Sequence, residues 1–357
     1  MENTASEKGG TMAPTAKKAT VIVPHWNGRE VLAECLHSLS RQHFRDFQTI
    51  VVDNGSTDGS CDFIAERFPH VEVVALPENR GFGGAVNEGI RRSRTSYVAL
   101  LNNDCLAAPG WLGSLVDALE SGSEWSFCSC KILNYFNRTS IAELGHAYCR
   151  DGSVVQIGAG MKDTGTLDML VNEVFGPSGA AALYRKSLFD DTGLFDDDLF
   201  LYFEDVDLSI RARLSGHRCR YVPSGVVYHR GGYSTGRIAG IQKYFVANKV
   251  RVFIKNMPRE LLSPYLPRLI ESLGEDFRWL ESRGAAGLYR EGIALALSDL
   301  EHFIKKASLQ EIKVPAGEFE NMLGEREDYS HLTLQQRIPF LPSQSSDGVT
   351  FHGTGKA

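Results

Sequence analysis

Residues 48–60 read QTIVVDNGSTDGS and give the clearest indication of how this chain folds. The first six residues form a short apolar run rich in β-branched side chains, which predicts a buried strand. The polar turn that follows contains Asp58, which can cap a helix running through Phe68. A buried strand that leads through a polar turn into a helix is the unit from which α/β sheets are built.

The same unit recurs on both sides of this stretch. Apolar runs at 20–24, 71–76 and 97–102 each precede a segment with a helical pattern. Asn27 is in position to cap the first of these helices, predicted over 28–41. Strands and helices that alternate in this way predict a parallel sheet with right-handed crossovers. The predicted fold class is therefore α/β, with ligands bound beyond the carboxyl ends of the strands.

Polar side chains stand at or directly after the ends of these strands. They are His25, Asp53, Asn79 and the run Asn102, Asn103 and Asp104. Because the carboxyl ends of parallel strands meet at one edge of a sheet, we expect these side chains to gather on one rim.

The pattern loosens between residues 123 and 235. Strand-like runs occur at 126–132, 153–157, 180–185 and 225–229, and a helix is predicted at 205–215. This predicts a mixed extension of the sheet that supplies the other wall of a cleft.

The remaining chain is helical or polar. Residues 240–310 carry apolar faces at helical spacing, whereas both ends of the chain are polar. The predicted organisation is a disordered tail at 1–18, an α/β domain at 19–257 with halves at 19–122 and 123–257, a helical region at 258–335 and a second disordered tail at 336–357. We expect the helical region to pack against the α/β domain or against a second copy in a homodimer.

The composition excludes several classes of protein. The chain has 357 residues, of which 43% are apolar and 23% charged, so it is not disordered as a whole. Its net charge of −6 argues against nucleic-acid binding, which needs cations to displace counterions from phosphate. An anionic ligand would therefore need a local cation or a metal ion.

The cysteines and the ends of the chain bear on the compartment. There are seven cysteines and no CxxC pair, so reduced thiols are expected rather than a zinc site or a disulfide framework. The polar N-terminus lacks the apolar segment of a secretory signal, and no apolar run reaches the ~18 residues of a spanning helix. A cytoplasmic location is therefore expected.

The run Leu101-Asn102-Asn103-Asp104 follows the fourth predicted strand. Polar groups at the end of an apolar strand need partners, and a carboxylate beside amides suits Mg²⁺ or Mn²⁺. The alternative is a capped turn. His229 follows a later strand and would complete the ligand set only if it faced Asp104; a lone histidine in this position is otherwise structural.

The densest group of acids lies in FDDDLFLYFEDVDLSIRAR, residues 195–213. Asp207 and the acids at 196–198 are explained by capping and solvation of the predicted helix. Glu204 and Asp205 fit that explanation less well because they follow an aromatic run, which indicates a cleft. A carboxylate in a cleft can act as a general base.

The segment ENRGFGG at 78–84 is rich in glycine, and glycine lets a backbone approach a ligand closely. It does not match a dinucleotide-binding fingerprint, because a valine replaces the third glycine and the segment follows the third strand instead of the first. Flexibility at the start of a helix is the alternative explanation.

Seven segments in this order resemble the inverting glycosyltransferases of family 2. They are VIVPHWNG (21–28), VVDNGSTDGS (51–60), ENRGFGGAVNEG (78–89), LNND (101–104), SGAAALYRK (178–186), the acidic segment beginning LFDDD (194–198) and YHRGG (228–232). The resemblance covers about residues 19–257 and is nearest to bacterial rhamnosyltransferases and related cell-wall and O-antigen sugar transferases.

The resemblance implies a GT-A fold, a Rossmann-like sheet with an acceptor-side extension, and a nucleoside diphosphate sugar as donor. It implies that Asp53 meets the base, that Pro24, His25 and Asn27 line the nucleotide pocket, and that Asn79, Gly81, Asn102, Asn103 and Gly179 lie against the nucleotide sugar. It also places Asp205, beside Glu204, at the position of the catalytic base.

The LNND segment stands at the family's DxD position, with Asn102 in place of the first aspartate. The implied Mg²⁺ or Mn²⁺ would therefore depend on Asp104, His229 and the phosphates of the donor. A later helix of the family often carries Arg-Asn, but this chain has Ala247-Asn248. Any anion contact made by that arginine would have to come from Lys249 or Arg251.

The first expectation for the donor is dTDP-L-rhamnose, and UDP-sugars such as UDP-galactofuranose, UDP-galactose or UDP-N-acetylglucosamine are alternatives. The acceptor is expected to be a glycan or a lipid-linked glycan, which would bring the protein to the inner face of a membrane. Two other functions have less support in the sequence. A nucleotidyltransferase would need a glycine-rich basic loop after the first strand, and PHWNGRE has none. A non-catalytic sugar-binding module is supported only by Asn102.

Overall fold

The computed structural model describes residues 17–233 and 240–333. The predicted tails at 1–18 and 336–357 lie outside these residues, apart from positions 17 and 18. Twelve strands occur in the described ranges. Ten of them form one sheet, with the path β10-β12-β6-β11-β4-β1-β2-β3 and with β5 and β7 paired to its side, and β8 and β9 form a separate antiparallel pair. The strands are β1 (Ala19–His25), β2 (Phe47–Asp53), β3 (Glu72–Ala75), β4 (Tyr97–Leu101), β5 (Cys105–Ala107), β6 (Trp125–Asn134), β7 (Ile141–Glu143), β8 (His146–Tyr148), β9 (Val154–Gln156), β10 (Glu173–Val174), β11 (Ala181–Arg185) and β12 (Arg218–His229).

The first four strands form the parallel half that the sequence predicts. β1 pairs in parallel with both β2 and β4, and β2 pairs with β3. The register places His25 beside Asp53 at the carboxyl ends of two neighbouring strands. The α/β fold class is therefore confirmed, and the strand ends meet on one rim as expected.

The mixed half turns the chain back toward this rim. β11 runs antiparallel to β4 and β6, whereas β12 runs parallel to β6. The predicted strand at 225–229 is the end of the longer β12, whose final residues pair with the short strand β5. The pair His229 and Cys105 in this register brings the end of β12 beside Asp104.

Twelve α-helices occur in the described ranges, and those after β12 form the helical C-terminal region. They are α1 (Arg29–Ser40), α2 (Ser60–Arg67), α3 (Gly81–Arg92), α4 (Trp111–Glu120), α5 (Thr166–Leu170), α6 (Leu188–Thr192), α7 (Glu204–Leu214), α8 (Gln242–Asn256), α9 (Arg259–Glu281), α10 (Ala286–Ser298), α11 (Leu300–Ala307) and α12 (Ala316–Glu320). Within the described part of the chain, no helix combines the length and the apolar character needed to cross a membrane.

The C-terminal helices pack against α7, the helix that begins with the acidic pair Glu204 and Asp205. Val206 and Ile210 of α7 belong to one buried apolar cluster with side chains of α8, α9, α11 and α12. These partners include Phe253, Leu269, Phe303 and Phe319. Burial of such side chains stabilises the fold by roughly 1.5–3 kcal/mol each, so the helical region supports α7 directly.

One local prediction is wrong. Asn27 has a left-handed φ of 53° and accepts a hydrogen bond from the Thr57 N–H at 3.0 Å, so it does not cap α1. Asp58 does so instead, since its Oδ2 accepts from the N–H groups of Gly28 at 2.7 Å and Arg29 at 3.1 Å. The loops after β1 and β2 are therefore tied together by side chains from both.

Candidate functional site

A cavity of about 560 Å³ opens at the carboxyl ends of β1 and β4 and extends to the C-terminal helices. Most of the residues singled out from the sequence line it. They are Pro24, His25, Asn79, Gly81, Asn102, Asn103, Asp104, Gly179, Glu204, Asp205 and His229. The far end is lined by Lys249, Asp276 and Arg326, so the helical region contributes to the same cavity.

Asp104 and His229 face each other in this cavity. The Asp104 Oδ1 and His229 Nε2 atoms are 3.2 Å apart, and the Asp104 side chain is only 6% exposed. Burial, the largest single effect, disfavours the charged form of each group, but the opposite charge of the partner and the hydrogen bonds together outweigh it. The pKa of Asp104 is therefore lowered, and the pKa of His229 is raised.

These two residues fit a divalent cation that is shared with a ligand. A carboxylate oxygen suits both Mn²⁺ and Mg²⁺, and an imidazole nitrogen suits Mn²⁺ better than Mg²⁺, but two protein ligands cannot complete the coordination of either ion. The Cys105 thiol is also close, since its sulfur lies within 4.8 Å of both ligand atoms. Burial raises the pKa of Cys105 far above its usual value, and sulfur is a poor ligand for hard cations, so Cys105 does not extend the set.

His25 is fixed by hydrogen bonds on both sides of its ring. Its Nδ1 lies 2.8 Å from the Asn103 amide nitrogen, and its Nε2 lies 2.8 Å from the Ser60 hydroxyl. With the Asn103 amide oriented in this way, Nδ1 accepts and Nε2–H donates. His25 and Asn103 are thus buried parts of the cavity floor, whereas Asn102 is partly accessible.

The glycine-rich loop is organised by Asn54, a residue that the sequence analysis did not single out. The Asn54 side-chain amide donates to Asn79 Oδ1 and to the Gly81 carbonyl, both at 2.9 Å, and its Oδ1 accepts from the Arg80 N–H at 2.9 Å. Asn79 Oδ1 also accepts from the Gly81 N–H at 2.9 Å. The Asp-Asn-Gly turn after β2 was the available signal, because such turns position side-chain amides.

Gly81 brings this loop against the segment that precedes Asp205. Its φ is +73°, and a Cβ atom at this position would lie 2.2 Å from the Phe200 carbonyl oxygen. The adjacent Phe82 N–H donates to the same oxygen at 2.9 Å. A side chain at residue 81 would therefore force apart the two loops that border the cavity.

Asp205 is oriented by backbone groups. Its Oδ2 accepts from the Gly179 N–H at 2.7 Å, and its Oδ1 accepts from the Val206 N–H at 2.8 Å. Each oxygen keeps further acceptor capacity, since a carboxylate oxygen has two lone pairs. Asp205 is half-buried and lines the cavity, so it is accessible to a ligand there.

Glu204 differs from its neighbour in charge state. It is only 4% exposed, and burial together with the negative charges of Asp205 and Asp207 raises the pKa of Glu204 to about 8. The carboxyl group of Glu204 is therefore mostly protonated at neutral pH. The acidic pair thus combines an uncharged buried acid with an accessible carboxylate.

The segment before Glu204 is held by Asn248 of α8, which lies in the KYFVANKVR helix. Phe200, Tyr202 and Phe203 all have left-handed φ values, between 60° and 71°, which are unfavourable for bulky side chains. The Asn248 amide donates to the carbonyl groups of Leu199 at 2.8 Å, Leu201 at 3.0 Å and Tyr202 at 2.8 Å.

The two cations proposed as substitutes for the missing arginine have other partners. Arg251 donates to Asn248 Oδ1 at 2.9 Å and forms an ion pair with Asp299, and it does not line the cavity. Lys249 lines the cavity, but its ammonium group donates to Asp276 at 2.6 Å and to Ser272 at 2.6 Å. Arg251 therefore supports Asn248 and does not reach a ligand in the cavity.

Asn27 and Asp53 lie outside the lining of this cavity. Asn27 borders a smaller surface depression with Gly28, Arg29, Glu30 and Asp58. Asp53 is 3% exposed at the end of β2, where its Oδ2 accepts from the Ser56 N–H at 3.2 Å and its Oδ1 is buried with no hydrogen-bond partner in the described ranges. The predicted nucleotide contacts of these two residues stay predictions.

Comparison with known sequences identifies a family and several relatives of this chain. The family model of Glycosyl transferase family 2 matches residues 20–193. The chain is 30% identical over 231 residues to an N-acetylglucosaminyl-diphospho-decaprenol L-rhamnosyltransferase of Mycobacterium tuberculosis, covering 58% of this chain and 74% of that protein. It is 26% identical over 209 residues to the poly-beta-1,6-N-acetyl-D-glucosamine synthase of Staphylococcus aureus, covering 57% of this chain and 48% of that protein.

Solved structures support the fold assignment. The structure of GalNAc-T7 with UDP, GalNAc and Mn²⁺ matches 87% of this chain and 57% of its own, with a TM-score of 0.60 and 17% identity. The structure of residues 1–349 of S. aureus TarS in complex with UDP matches 85% of this chain and 89% of its own, with a TM-score of 0.50 and 18% identity. These likenesses show the GT-A fold.

Proposed function

The chain belongs to glycosyl transferase family 2 and is a glycosyltransferase, and we propose that it transfers a sugar from a nucleoside diphosphate sugar to a hydroxyl group with inversion at the anomeric carbon. The observation that carries the proposal is the convergence of three side chains on one cavity. Asp104 and His229 lie 3.2 Å apart on the sheet side, and Asp205 lines the same cavity from α7.

Asp205 is proposed as the general base. A sugar hydroxyl has a pKa far above neutral, so a carboxylate must accept its proton as it attacks the anomeric carbon. The Gly179 and Val206 N–H groups orient the Asp205 carboxylate for this task. Glu204, held uncharged beside it, adds no second negative charge at neutral pH. A base on one face and a leaving group on the other give inversion in a single displacement.

Asp104 and His229 are proposed to hold Mn²⁺ or Mg²⁺ together with the donor diphosphate. The bound cation would stabilise the negative charge that develops on the departing nucleoside diphosphate. Asn102 replaces an aspartate at this position of the family, so the site offers one carboxylate and relies on the phosphates for further ligands. The net charge of −6 gives a dianionic donor no general attraction to the chain, so a local cation or such a metal ion would have to hold it.

The nucleotide is proposed to lie along the rim of the parallel half. Asp53 Oδ1, which is buried and has no hydrogen-bond partner within the described residues, would accept from a base N–H. Asn27 would border the same end, and Pro24 and His25 would form the floor. Asn79, Gly81, Asn102, Asn103 and Gly179 would lie against the ribose, the diphosphate and the transferred sugar.

The proposed donor is dTDP-L-rhamnose, and the proposed acceptor is a glycan or a lipid-linked glycan. The support is the 30% identity to a relative that is named for rhamnosyl transfer to a decaprenyl diphosphate sugar. A UDP-sugar is the second candidate, since fold relatives were solved with UDP. A lipid-linked acceptor would bring the enzyme into contact with the cytoplasmic face of a membrane.

The transferase unit is proposed to span 19–257 with the helical region 258–335 closing its cavity.

A thermal-shift screen tests the proposal. Nucleotide sugars with different bases and sugars are added with and without Mn²⁺, because a ligand at 100 times its Kd stabilises the folded state by about 2.7 kcal/mol. We expect a Mn²⁺-dependent rise in Tm with dTDP-L-rhamnose that Asp104→Asn abolishes. A Mn²⁺-dependent rise in Tm with a UDP-sugar alone would show that the donor is that UDP-sugar and not dTDP-L-rhamnose. If no nucleotide sugar raises the Tm, the proposed function is overturned.

A further inference from the structure

A group of polar side chains next to Asp205 has no role in the mechanism described above. Glu143 ends β7, Gln156 ends β9, and Ser178 precedes Gly179 in the loop before β11. All three line the cavity. Glu143 is 94% buried, since its relative exposure is 6%, whereas Gln156 and Ser178 are partly accessible.

The three side chains are joined to one another. The Gln156 amide donates to Glu143 Oε2 at 3.1 Å, and the Ser178 hydroxyl hydrogen bonds the same carboxyl group. His146 stands behind them, with its Nδ1 4.0 Å from Glu143 Oε1, which is too long for a hydrogen bond. The group therefore presents a carboxyl, an amide and a hydroxyl toward one side of the cavity.

Two consecutive residues connect this group to the proposed base. Ser178 hydrogen bonds Glu143, and the next residue, Gly179, donates its N–H to Asp205 Oδ2 at 2.7 Å. Glu143 and Asp205 are thus fixed relative to each other by one short piece of backbone. In an inverting displacement the attacking hydroxyl lies on the side of the base, opposite to the leaving diphosphate. A group fixed to Asp205 therefore faces the acceptor.

The charge state of the group suits an uncharged ligand. Burial and the negative charge of Asp205 raise the pKa of Glu143 to about 7, and burial lowers the pKa of His146 to about 4. Near neutral pH about half of the Glu143 carboxyl groups are therefore protonated and His146 is uncharged, and the wall offers both hydrogen-bond donors and acceptors. Sugar hydroxyls match it better than a phosphate or a metal ion.

We propose that Glu143, Gln156 and Ser178 form an acceptor subsite that binds neighbouring hydroxyl groups of a hexopyranoside and so selects which hydroxyl reaches Asp205. This inference rests on the proposed function and deepens it. The acceptor class is a hexopyranoside with free vicinal hydroxyls, because a carboxyl flanked by an amide and a hydroxyl can bind two adjacent hydroxyl groups at once. An acceptor that lacks one of these hydroxyls would lose a hydrogen bond to the subsite.

The test measures sugar transfer from the donor that the thermal-shift screen identifies, with Mn²⁺ present. The acceptor probes are octyl glycosides of the common hexopyranoses and their monodeoxy analogues. KM values for acceptor and donor are determined for the wild-type chain, Glu143→Gln and Gln156→Met. Glu66→Gln and His70→Gln are matched controls, since both residues are exposed and lie outside the cavity. Melting temperatures show that each variant folds.

We expect each subsite variant to raise the acceptor KM by about tenfold or more, the equivalent of one hydrogen bond, while the donor KM changes less than about twofold. Glu143→Gln should also lose the discrimination of the wild-type chain against one monodeoxy analogue. Unchanged acceptor KM values in both variants would overturn the subsite, as would a rise in the donor KM alone.

If the wild-type chain hydrolyses the donor but transfers to no hexopyranoside, the subsite is wrong and the proposed function stands. If the wild-type chain neither binds nor hydrolyses any donor, the proposed function itself fails.

Discussion

Asn248 donates its side-chain amide to the backbone carbonyl oxygen of Tyr202 at 2.8 Å, three positions before Asp205. The same amide reaches the carbonyl groups of Leu199 and Leu201. Asn248 is fully buried, and Arg251 holds its Oδ1 at 2.9 Å. A side chain of the C-terminal helices therefore fixes the left-handed segment that delivers the proposed base into the cavity.

Asn248→Ala tests this positioning role. The carbonyl groups of Leu201 and Tyr202 lose this donor, whereas that of Leu199 keeps the Leu201 N–H at 2.7 Å. Since an unsatisfied buried group costs about 1–3 kcal/mol, the Tm should fall. Because the segment before Asp205 loses its anchor, kcat for transfer should fall at least about tenfold while the donor KM stays within about twofold of wild type.

Asn256→Ala is the matched control for Asn248→Ala. Asn256 is a buried amide of the same helix, and it bonds Asp207 at 2.7 Å and not the 199–202 segment. The control should lose stability without the same loss in kcat. Equal losses in kcat for the two variants would show that Asn248 contributes only to stability and does not position Asp205.

Gly81→Ala should separate the two loops at the cavity. The added Cβ would lie 2.2 Å from the Phe200 carbonyl oxygen, and the φ of +73° is unfavourable for alanine. We expect a lower Tm and a donor affinity weakened by at least about tenfold, a change of about 1.4 kcal/mol. Gly110→Ala is the control, because nothing lies within 4 Å of its added Cβ and its φ is −91°. Donor affinity at the wild-type level in Gly81→Ala would show that the contact between the loops does not shape the site.

Changing Asp207 to asparagine should mainly reduce stability, whereas changing Asp205 to asparagine should mainly reduce sugar transfer. Asp207 is fully buried and binds Lys255 at 2.7 Å and Arg211 at 2.7 Å. Burial opposes its charge, but these two cations keep its pKa low. Asp207→Asn removes the carboxylate that pairs with Arg211, whereas Lys255 keeps Asp196 at 2.6 Å. Breaking this buried ion pair should destabilise the fold by about 3–5 kcal/mol.

Asp205→Asn should keep a Tm close to wild type and lose transfer by about 10²–10⁴-fold, the usual range for a general base. Thermal unfolding and initial rates of transfer, measured on the same preparations, check both variants. A stable Asp207→Asn, or a strongly destabilised Asp205→Asn, would reverse the assignment of the two acids.

Glu204 should make stability depend on pH. Its pKa rises from an ordinary value of 4.5 to about 8 in the folded state. The folded state therefore binds more protons than the unfolded state between these two values, and stability falls as pH rises through this range. The limiting slope for one such group is about 1.4 kcal/mol per pH unit.

Glu204→Gln removes this titration. The Tm of Glu204→Gln minus that of wild type should increase steadily between pH 5 and pH 8. This is roughly the interval in which Glu204 is protonated in the folded state but ionised in the unfolded state. Thermal unfolding of both proteins in matched buffers measures the difference. A difference that stays constant across this range would show that Glu204 ionises in the folded state as it does in water.

The sequence predicted the parallel half and its rim because local patterns determine both. The apolar runs and polar turns around 20–104 gave four strands and placed His25 and Asp104 at strand ends. Asp58 illustrates the limit of such patterns. It was expected to act only as a helix cap, and it does accept from the Ser60 N–H at 3.2 Å, but it also caps α1 across 30 positions of the chain.

The features that the sequence did not reveal depend on contacts between distant residues. Asn54 and Glu143 were missed, and Asn248 was noted only as part of a family pattern, because the partners of all three lie in other elements. The sequence did not predict whether His229 faces Asp104, because that contact depends on the pairing of β12 with β5. The short strands β7 and β8 have too few residues for a clear alternation.

The most direct test of the central claim is calorimetric titration of the identified donor, with and without Mn²⁺, into wild type, Asp104→Asn and Asp205→Asn, followed by measurement of sugar transfer. The account predicts that Asp104→Asn loses the gain in affinity that Mn²⁺ gives to wild type. It predicts that Asp205→Asn binds the donor as wild type does and transfers almost no sugar. Transfer by Asp205→Asn at the wild-type rate, or a full Mn²⁺ effect in Asp104→Asn, would contradict it.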